Sequence, residues 1–179
     1  MRLHAPSSLL AVIDVQERLL AVMAEGGRVV SRTARLADAA ALLGVRVAVT
    51  EQYPKGLGPT PADLAARLPV AGTKMSFSCC GSSAFAAALE ADVESVVLAG
   101  LETHVCVAQT ALDLLARGLA VFVAVDAVAS RHAIDHQVAL ERLAGAGAIL
   151  TTSEAVLFEW CGSAEHPRFQ DVRRLVMSG

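Results

Sequence analysis

The chain alternates short, wholly apolar runs with longer segments whose apolar residues recur at helical spacing. Leu9–Asp14 (LLAVID) is a continuous apolar run that ends in a carboxylate. Val45–Thr50 (VRVAVT), Ser95–Gly100 (SVVLAG), Leu119–Val125 (LAVFVAV) and Ala148–Thr151 read as further strands, and Val70–Met75 as a short extended piece. Val29, Leu36, Ala40 and Leu43, with Arg28, Arg32, Arg35 and Asp38 between them, predict an amphipathic helix over 29–43 that Gly44 stops. Further helices are expected over Asp63–Leu68, from a cap at Ser82 or Ser83 to Glu90, and over Thr103–Arg117, which Gly118 ends. Three more are expected over Asp135–Ala144, Ser153–Trp160 and Gln170–Val176. Pro54, Gly56, Gly58, Pro59 and Pro61 make Gln52–Pro61 turn-rich.

Strands that are apolar on both faces and alternate with helices belong in a parallel sheet covered on both sides. The expectation is one domain over residues 1–179, a three-layer α/β/α Rossmann-like fold with a mainly parallel six-stranded sheet. Sheets of this kind place ligands beyond the carboxyl ends of their strands, where the strand order reverses. The residues just after each strand are therefore the ones to inspect.

Composition narrows the function classes. Apolar residues make up 54% of the 179 and charged residues 18%, which excludes a disordered chain. The longest uncharged apolar runs fall far short of the ~18–20 residues a membrane span needs. There are 34 alanines against seven aromatics, which favours helices that pack closely and disfavours stacking platforms for bases. The net charge is −3, and the densest basic patch is only Arg168, Arg173 and Arg174, so nucleic acid is not an expected partner. Cys79, Cys80, Cys106 and Cys161 include no C-x-x-C, and Met1–Pro6 has no signal-peptide layout. Reduced thiols and a cytoplasmic location are expected.

The strand ends carry the candidate chemistry. Asp14 and then Gln16 follow the first strand, Lys74 the third extended piece, and Gly100-Leu101-Glu102-Thr103-His104-Val105-Cys106-Val107 the fourth strand. An acid, a lysine and a cysteine are thereby expected close together. An ammonium group and a helix N-terminus both favour a thiolate, so Cys106 is expected to have a lowered pKa. A nearby carboxylate could take the thiol proton and return it to a leaving group.

Asp14 in LLAVIDVQ, Lys74 in GTKMSFS and Cys106 in GLETHVCVAQTALDLL resemble the Asp–Lys–Cys triad of the isochorismatase-like cysteine hydrolases. That family includes nicotinamidases and N-carbamoylsarcosine amidase. The likeness covers nearly the whole chain, and Thr50–Thr60 (TEQYPKGLGPT) resembles the isochorismatase domain-containing subgroup. It implies that Asp14 is the general base, that Lys74 stabilises the thiolate, and that Cys106 attacks a small amide or related carbonyl compound to give a thioester. It also implies a non-proline cis peptide at Leu101–Glu102 and an oxyanion hole from the backbone N–H groups of Glu102 and Cys106. A homo-oligomer and a small-molecule substrate are implied in the same way, with no cofactor.

Departures from the family are equally informative. Nicotinamidases hold zinc through an Asp-x-His pair after the second strand and a further His. Here the corresponding segment is Thr50-Glu51-Gln52-Tyr53, without histidine, so no metal site is expected and nicotinamide is disfavoured. Cys106 argues against vinyl-ether hydrolysis, because true isochorismatases lack the cysteine. Gln16, Tyr53, Phe77, His104 and Val105 are the expected substrate-side residues. His132 and His136 have the i,i+4 spacing of a zinc pair but no third ligand nearby, so a solvated helix face is expected. Cys79 and Cys80 are expected to be structural and Cys161 to pack. The rival readings are a catalytically silent scaffold that keeps the fold, and a thiol redox enzyme with Cys79 or Cys80 as resolving partner.

Overall fold

The computed structural model describes residues 1–89 and 92–177, so the expected helix end at Glu90 lies outside the described residues. Six strands, β1 (Ser8–Ile13), β2 (Arg46–Gln52), β3 (Gly72–Lys74), β4 (Ser95–Leu101), β5 (Ala120–Ala129) and β6 (Ile149–Thr151), form one sheet in the order β3-β2-β1-β4-β5-β6. Every pairing is parallel. The order reverses between β1 and β4, which puts the carboxyl ends of these two strands side by side.

The helices are α1 (Glu17–Leu20), α2 (Gly26–Leu43), α3 (Pro54–Leu57), α4 (Ala62–Ala65), α5 (Ser83–Ala88), α6 (Ala108–Ala116), α7 (Ala133–Gly145), α8 (Ser153–Cys161) and α9 (Phe169–Met177). The apolar runs are explained by burial on both faces of the sheet. Along β1, Leu10 and Val12 pack in one core with Leu36, Val156, Trp160 and Val172 of α2, α8 and α9. Leu9, Ala11 and Ile13 pack in the other with Phe85 of α5, Ala111 and Leu114 of α6 and Leu143 of α7. Alternation at period two thus leaves no polar face.

Local chemistry sets the element ends. Gly44 takes a left-handed φ of 72° after α2, as a helix-terminating glycine does. Ser82 caps α5 by accepting from the Phe85 N–H, and Thr152 caps α8 by accepting from the Ala155 N–H.

Four elements differ from expectation, the first being the unexpected short helix α1 just after β1. The turn-rich segment contains the short helix α3, started by a proline whose fixed φ suits a first helical position. β5 continues past Val125 to Ala129, through a bulge at which β4 Leu98 faces Val123 but Gly100 faces Val128. The Arg28 guanidinium of α2 donates to the carbonyls of Val125, Asp126 and Val128 there, a tertiary contact that local periodicity cannot announce. Finally, Thr103–Val107 is a π-helical turn rather than the first turn of a uniform α-helix.

Candidate active site

Asp14, Lys74 and Cys106 meet at the carboxyl edge of the sheet. The Lys74 Nζ lies 2.7 Å from Asp14 Oδ2 and 3.5 Å from Cys106 Sγ. All three side chains are buried, with residue exposures of 0%, 4% and 6% for Asp14, Lys74 and Cys106. Each comes from a different strand end. Asp14 follows β1 directly, with a positive φ of 52°. Its N–H donates to the Thr50 carbonyl of β2, and the Thr50 hydroxyl donates to Asp14 Oδ1 at 2.8 Å. Lys74 is the last residue of β3, in register with Gln52 of β2.

The ammonium group of Lys74 has three N–H bonds to give. Besides Asp14 and the sulfur, the acceptors around it are Gln52 Oε1 at 2.8 Å and the carbonyls of Phe77 at 2.9 Å and Ser76 at 3.2 Å. A buried charge held this way is compensated on all sides, as burial demands.

Gly100 lets β4 approach. A Cβ built there would sit 1.9 Å from the Ile13 carbonyl oxygen, and the residue has φ 124°. Two residues on, the Leu101–Glu102 peptide is cis. The Glu102 carbonyl then accepts from the N–H groups of Val105 and Val107, the second of these being the i→i+5 bond of the π turn that carries Cys106. The turn is anchored from outside. The Glu102 carboxylate accepts from the N–H and Nε of Arg131, and Thr103 Oγ1 pairs with His136 Nδ1 at 2.9 Å. His136 is therefore half-buried and holds the turn, which corrects the expectation of a solvated His132/His136 face; His132 itself is exposed. Burial, with Arg28 next in effect, holds the His136 pKa below 6.5, so the ring favours its neutral form.

The electrostatics of Cys106 run opposite to the sequence expectation. Burial first, and the Asp14 carboxylate second, push its thiol up to about 12, and Lys74 offsets only part of this. The resting group is a neutral thiol beside an Asp14–Lys74 ion pair. Cys79, fully buried, is likewise pushed up to about 11 by burial and by Asp14. Its N–H donates to Thr110 Oγ1, whose hydroxyl donates to the Cys106 carbonyl at 2.7 Å, and its sulfur touches Thr50 Oγ1. Cys79 thus bridges the two threonines that position Asp14 and Cys106. Cys80 is half-buried and has a raised pKa from burial. All four cysteines are free, and Cys161 lies in the α2–α8–α9 core.

The expected substrate-side residues separate into two groups. Gln16 is fully buried, and its amide is occupied. It accepts from the Gln52 N–H and donates to the carbonyls of Gln52 and Gly58, so it ties the end of β2 to the following loop instead of facing a ligand. Val105 packs against the core beside Cys106. Tyr53 and Phe77 are about half exposed, and Phe77 follows Lys74 closely enough that its carbonyl takes the Lys74 ammonium. His104 is half-buried, with Nδ1 2.9 Å from the Ser130 hydroxyl. Gln52, Thr50 and Thr110 were not anticipated. The strand-end rule points at Thr50 and Gln52, but their partners depend on the pairing of β2 with β1 and β3. Among the described residues, no three or more His, Cys, Asp or Glu side chains stand together as a metal site.

The chain and its fold have counterparts among known proteins. An isochorismatase domain family matches residues 8–155. The isochorismatase domain-containing protein 1 of Salmo salar is 44% identical over 166 residues, covering 91% of this chain; the chain spans only 58% of that protein's length. The solved structure of a MAR1 ribonuclease from Caenorhabditis elegans is 41% identical, with a TM-score of 0.94 over 99% of this chain and 93% of that one. The Escherichia coli YcaC gene product, described as an octameric hydrolase of unknown specificity, is 26% identical, with a TM-score of 0.83 over 99% and 96% of the two chains. A match that takes in β1 through the start of α8, with Asp14, Lys74 and Cys106 all inside it, places this chain in the isochorismatase domain family, whose members are generally hydrolases.

Proposed function

We propose that the protein is a cysteine-dependent hydrolase of a small amide or related C–N carbonyl compound, with residues 1–179 acting as a single domain. The observation that carries this reading is the buried contact of Asp14, Lys74 and Cys106. Because the resting sulfur is protonated, attack and proton removal go together. Cys106 Sγ bonds to the substrate carbonyl carbon while Asp14 takes the thiol proton. The N–H groups of Glu102 and Cys106 receive the oxyanion. Asp14 then gives its proton to the leaving nitrogen as the C–N bond breaks, which leaves a thioester and an amine. In the second half Asp14 takes a proton from water, the hydroxide adds to the thioester, and the C–S bond breaks. The proton returns to sulfur, and an acid is released. Lys74 stabilises the developing thiolate and holds Asp14 in place.

Tyr53, Phe77, His104 and Val105 surround the approach to the sulfur in this reading, whereas Gln16 shapes the loop behind it. A homo-oligomer in the cytoplasm belongs to the same proposal, supported by the octameric YcaC relative, by four free thiols and by exposed apolar side chains such as Met75, Phe77, Ile134 and Val138. No described helix is long and apolar enough to cross a membrane.

The test is acylation of the protein by small amides and activated esters, followed by peptide mass spectrometry. The expected result is an acyl adduct on Cys106 that hydroxylamine removes and that is missing in Cys106→Ala. A wild-type protein with no adduct from any acyl donor would instead be the silent scaffold. The C. elegans relative described as a ribonuclease supports a second reading, RNA cleavage. The chain's charge of −3, and the pairing of Arg168 and Arg174 with Asp171, leave little to track a phosphate backbone. Incubation with labelled RNA, wild type against Cys106→Ala, separates the two.

A further inference from the structure

Helices α2 and α8 cover the sheet face opposite α6, the helix that follows Cys106. Between them opens a cleft of about 410 Å³, with Arg32, Arg35, Asp126, Thr152, Glu154 and Phe158 in its wall. Two of the three arginines on this side of α2 are accounted for. Arg28 holds the β5 bulge, and Arg32 Nε stands 3.7 Å from Asp126 Oδ2. Arg35 is not. It is only 7% exposed, and among the described residues its Nη2 has no hydrogen-bond partner. A guanidinium has five N–H donors and no way to shed them, so burying one without an acceptor is among the costliest arrangements a fold can keep.

The two carboxylates of the wall do not resolve this. Both oxygens of Asp126 are engaged at the start of α8, by the Ser153 N–H at 2.7 Å and the Ser153 hydroxyl. Glu154 acts on Arg35 only through space. Burial and the like charge of Arg32 pull the Arg35 pKa below its ordinary value, and Asp126 and Glu154 offset only part of this. The N-terminus of α8 borders the same cleft through Thr152 and Glu154, but its Ser153 and Ala155 N–H groups are already taken by Asp126 and Thr152, so the free donors of the cleft are those of arginine. Phe158, 40% exposed, offers an apolar wall beside the charged one.

We propose that this cleft is a binding site, separate from the Asp14–Lys74–Cys106 cluster, for a small organic oxyanion whose carboxylate or phosphoryl head pairs with Arg35 and Arg32 while its body covers Phe158. Arg35 is the anchor. The planar fork of a guanidinium matches either head group with two parallel hydrogen bonds. Arg32 adds charge, and Asp126 and Glu154 set a limit on affinity. The site does not depend on the hydrolase reading and can fail or stand without it.

Isothermal titration calorimetry at constant ionic strength tests it, with inorganic phosphate and benzoate as probes. Phosphate presents the head alone, and benzoate presents a carboxylate with an apolar body. Saturable binding of either probe is expected. Arg35→Met keeps the packing of the stem and is expected to weaken binding at least about tenfold, the size of a lost charged hydrogen bond. Glu154→Gln is expected to tighten it. Should Arg35→Met not fold, Arg35→Lys keeps the charge, loses the fork and is expected to weaken binding as well. Binding confined to benzoate assigns the apolar wall a share, whereas binding of both assigns the head group. No saturable heat with either probe, or equal affinity in wild type and the Arg35 variant, overturns the site.

Discussion

At Asp14 the backbone adopts φ 52°, a left-handed state that aspartate and asparagine tolerate better than other residues with a side chain. Asp14→Asn therefore tests the carboxylate with little disturbance of the chain. Turnover is expected to fall by about 10²–10⁴, the usual contribution of a positioned base. The same substitution removes the carboxylate that helps push Cys106 up to about 12, so the thiol should titrate at lower pH. Iodoacetamide labelling of Cys106 against pH measures this, and Lys74→Met should move the midpoint the other way. An unchanged midpoint in Asp14→Asn would leave burial as the only cause of the shift. Gly100 is a second residue-scale constraint. With a Cβ 1.9 Å from the Ile13 oxygen, Gly100→Ala cannot fit without parting β4 from β1. A loss of more than about 3 kcal/mol in urea unfolding is expected, together with loss of activity, since that contact sets Asp14 against the Cys106 turn.

Among the elements, α2 was legible from Val29 to its end at Leu43, three residues inside its start at Gly26, because its apolar stripe and Gly44 act locally. Gly44 has φ 72° and open space around its Cβ position, so Gly44→Ala meets no clash and suffers only the left-handed penalty, about 1 kcal/mol in chemical denaturation. The segment Thr103–Arg117 reads as one α-helix because its Ala- and Leu-rich body from Ala108 onward carries the pattern. The π turn at its start reflects contacts from elsewhere: Arg131 on the Glu102 carboxylate and His136 on the Thr103 hydroxyl. His136→Leu removes the second of these and leaves Thr103 unpaired. The expected effect is a cost of about 1–3 kcal/mol and slower acylation of Cys106 at unchanged pH optimum, read by the mass-spectrometric assay.

For the molecule as a whole, the two raised thiols make a statement about stability. Burial and the Asp14 carboxylate push the thiols of Cys79 and Cys106 up from 9.0 to about 11 and about 12 on folding. The fold favours their neutral forms, so their contribution is fully present below pH 9 and is lost as pH rises through 11 and 12. The urea midpoint should fall with pH in that window, and less steeply in Cys106→Ala than in wild type. The difference between the two proteins, not the fall itself, is the measurement.

The amino-acid order by itself determined the parallel α/β/α sheet, because the apolar runs of β1 and β4 are buried on both faces and alternate with helical segments that cover them. It also placed Asp14 at the end of β1, where a carboxylate breaks off an apolar run, Lys74 at the end of the short third strand, and Cys106 in the segment that follows β4. What only the tertiary structure decided is how those edges meet. Lys74 stands in register with Gln52 because β3 pairs with β2, and Thr50 reaches Asp14 because β2 pairs with β1. Gln16 turned inward because its amide satisfies three backbone groups of a loop far along the chain. The thiol pKa was likewise beyond sequence. Proximity to a lysine suggests a lowered value, but burial and a carboxylate act over distance and solvent access, quantities that exist only once the chain has folded.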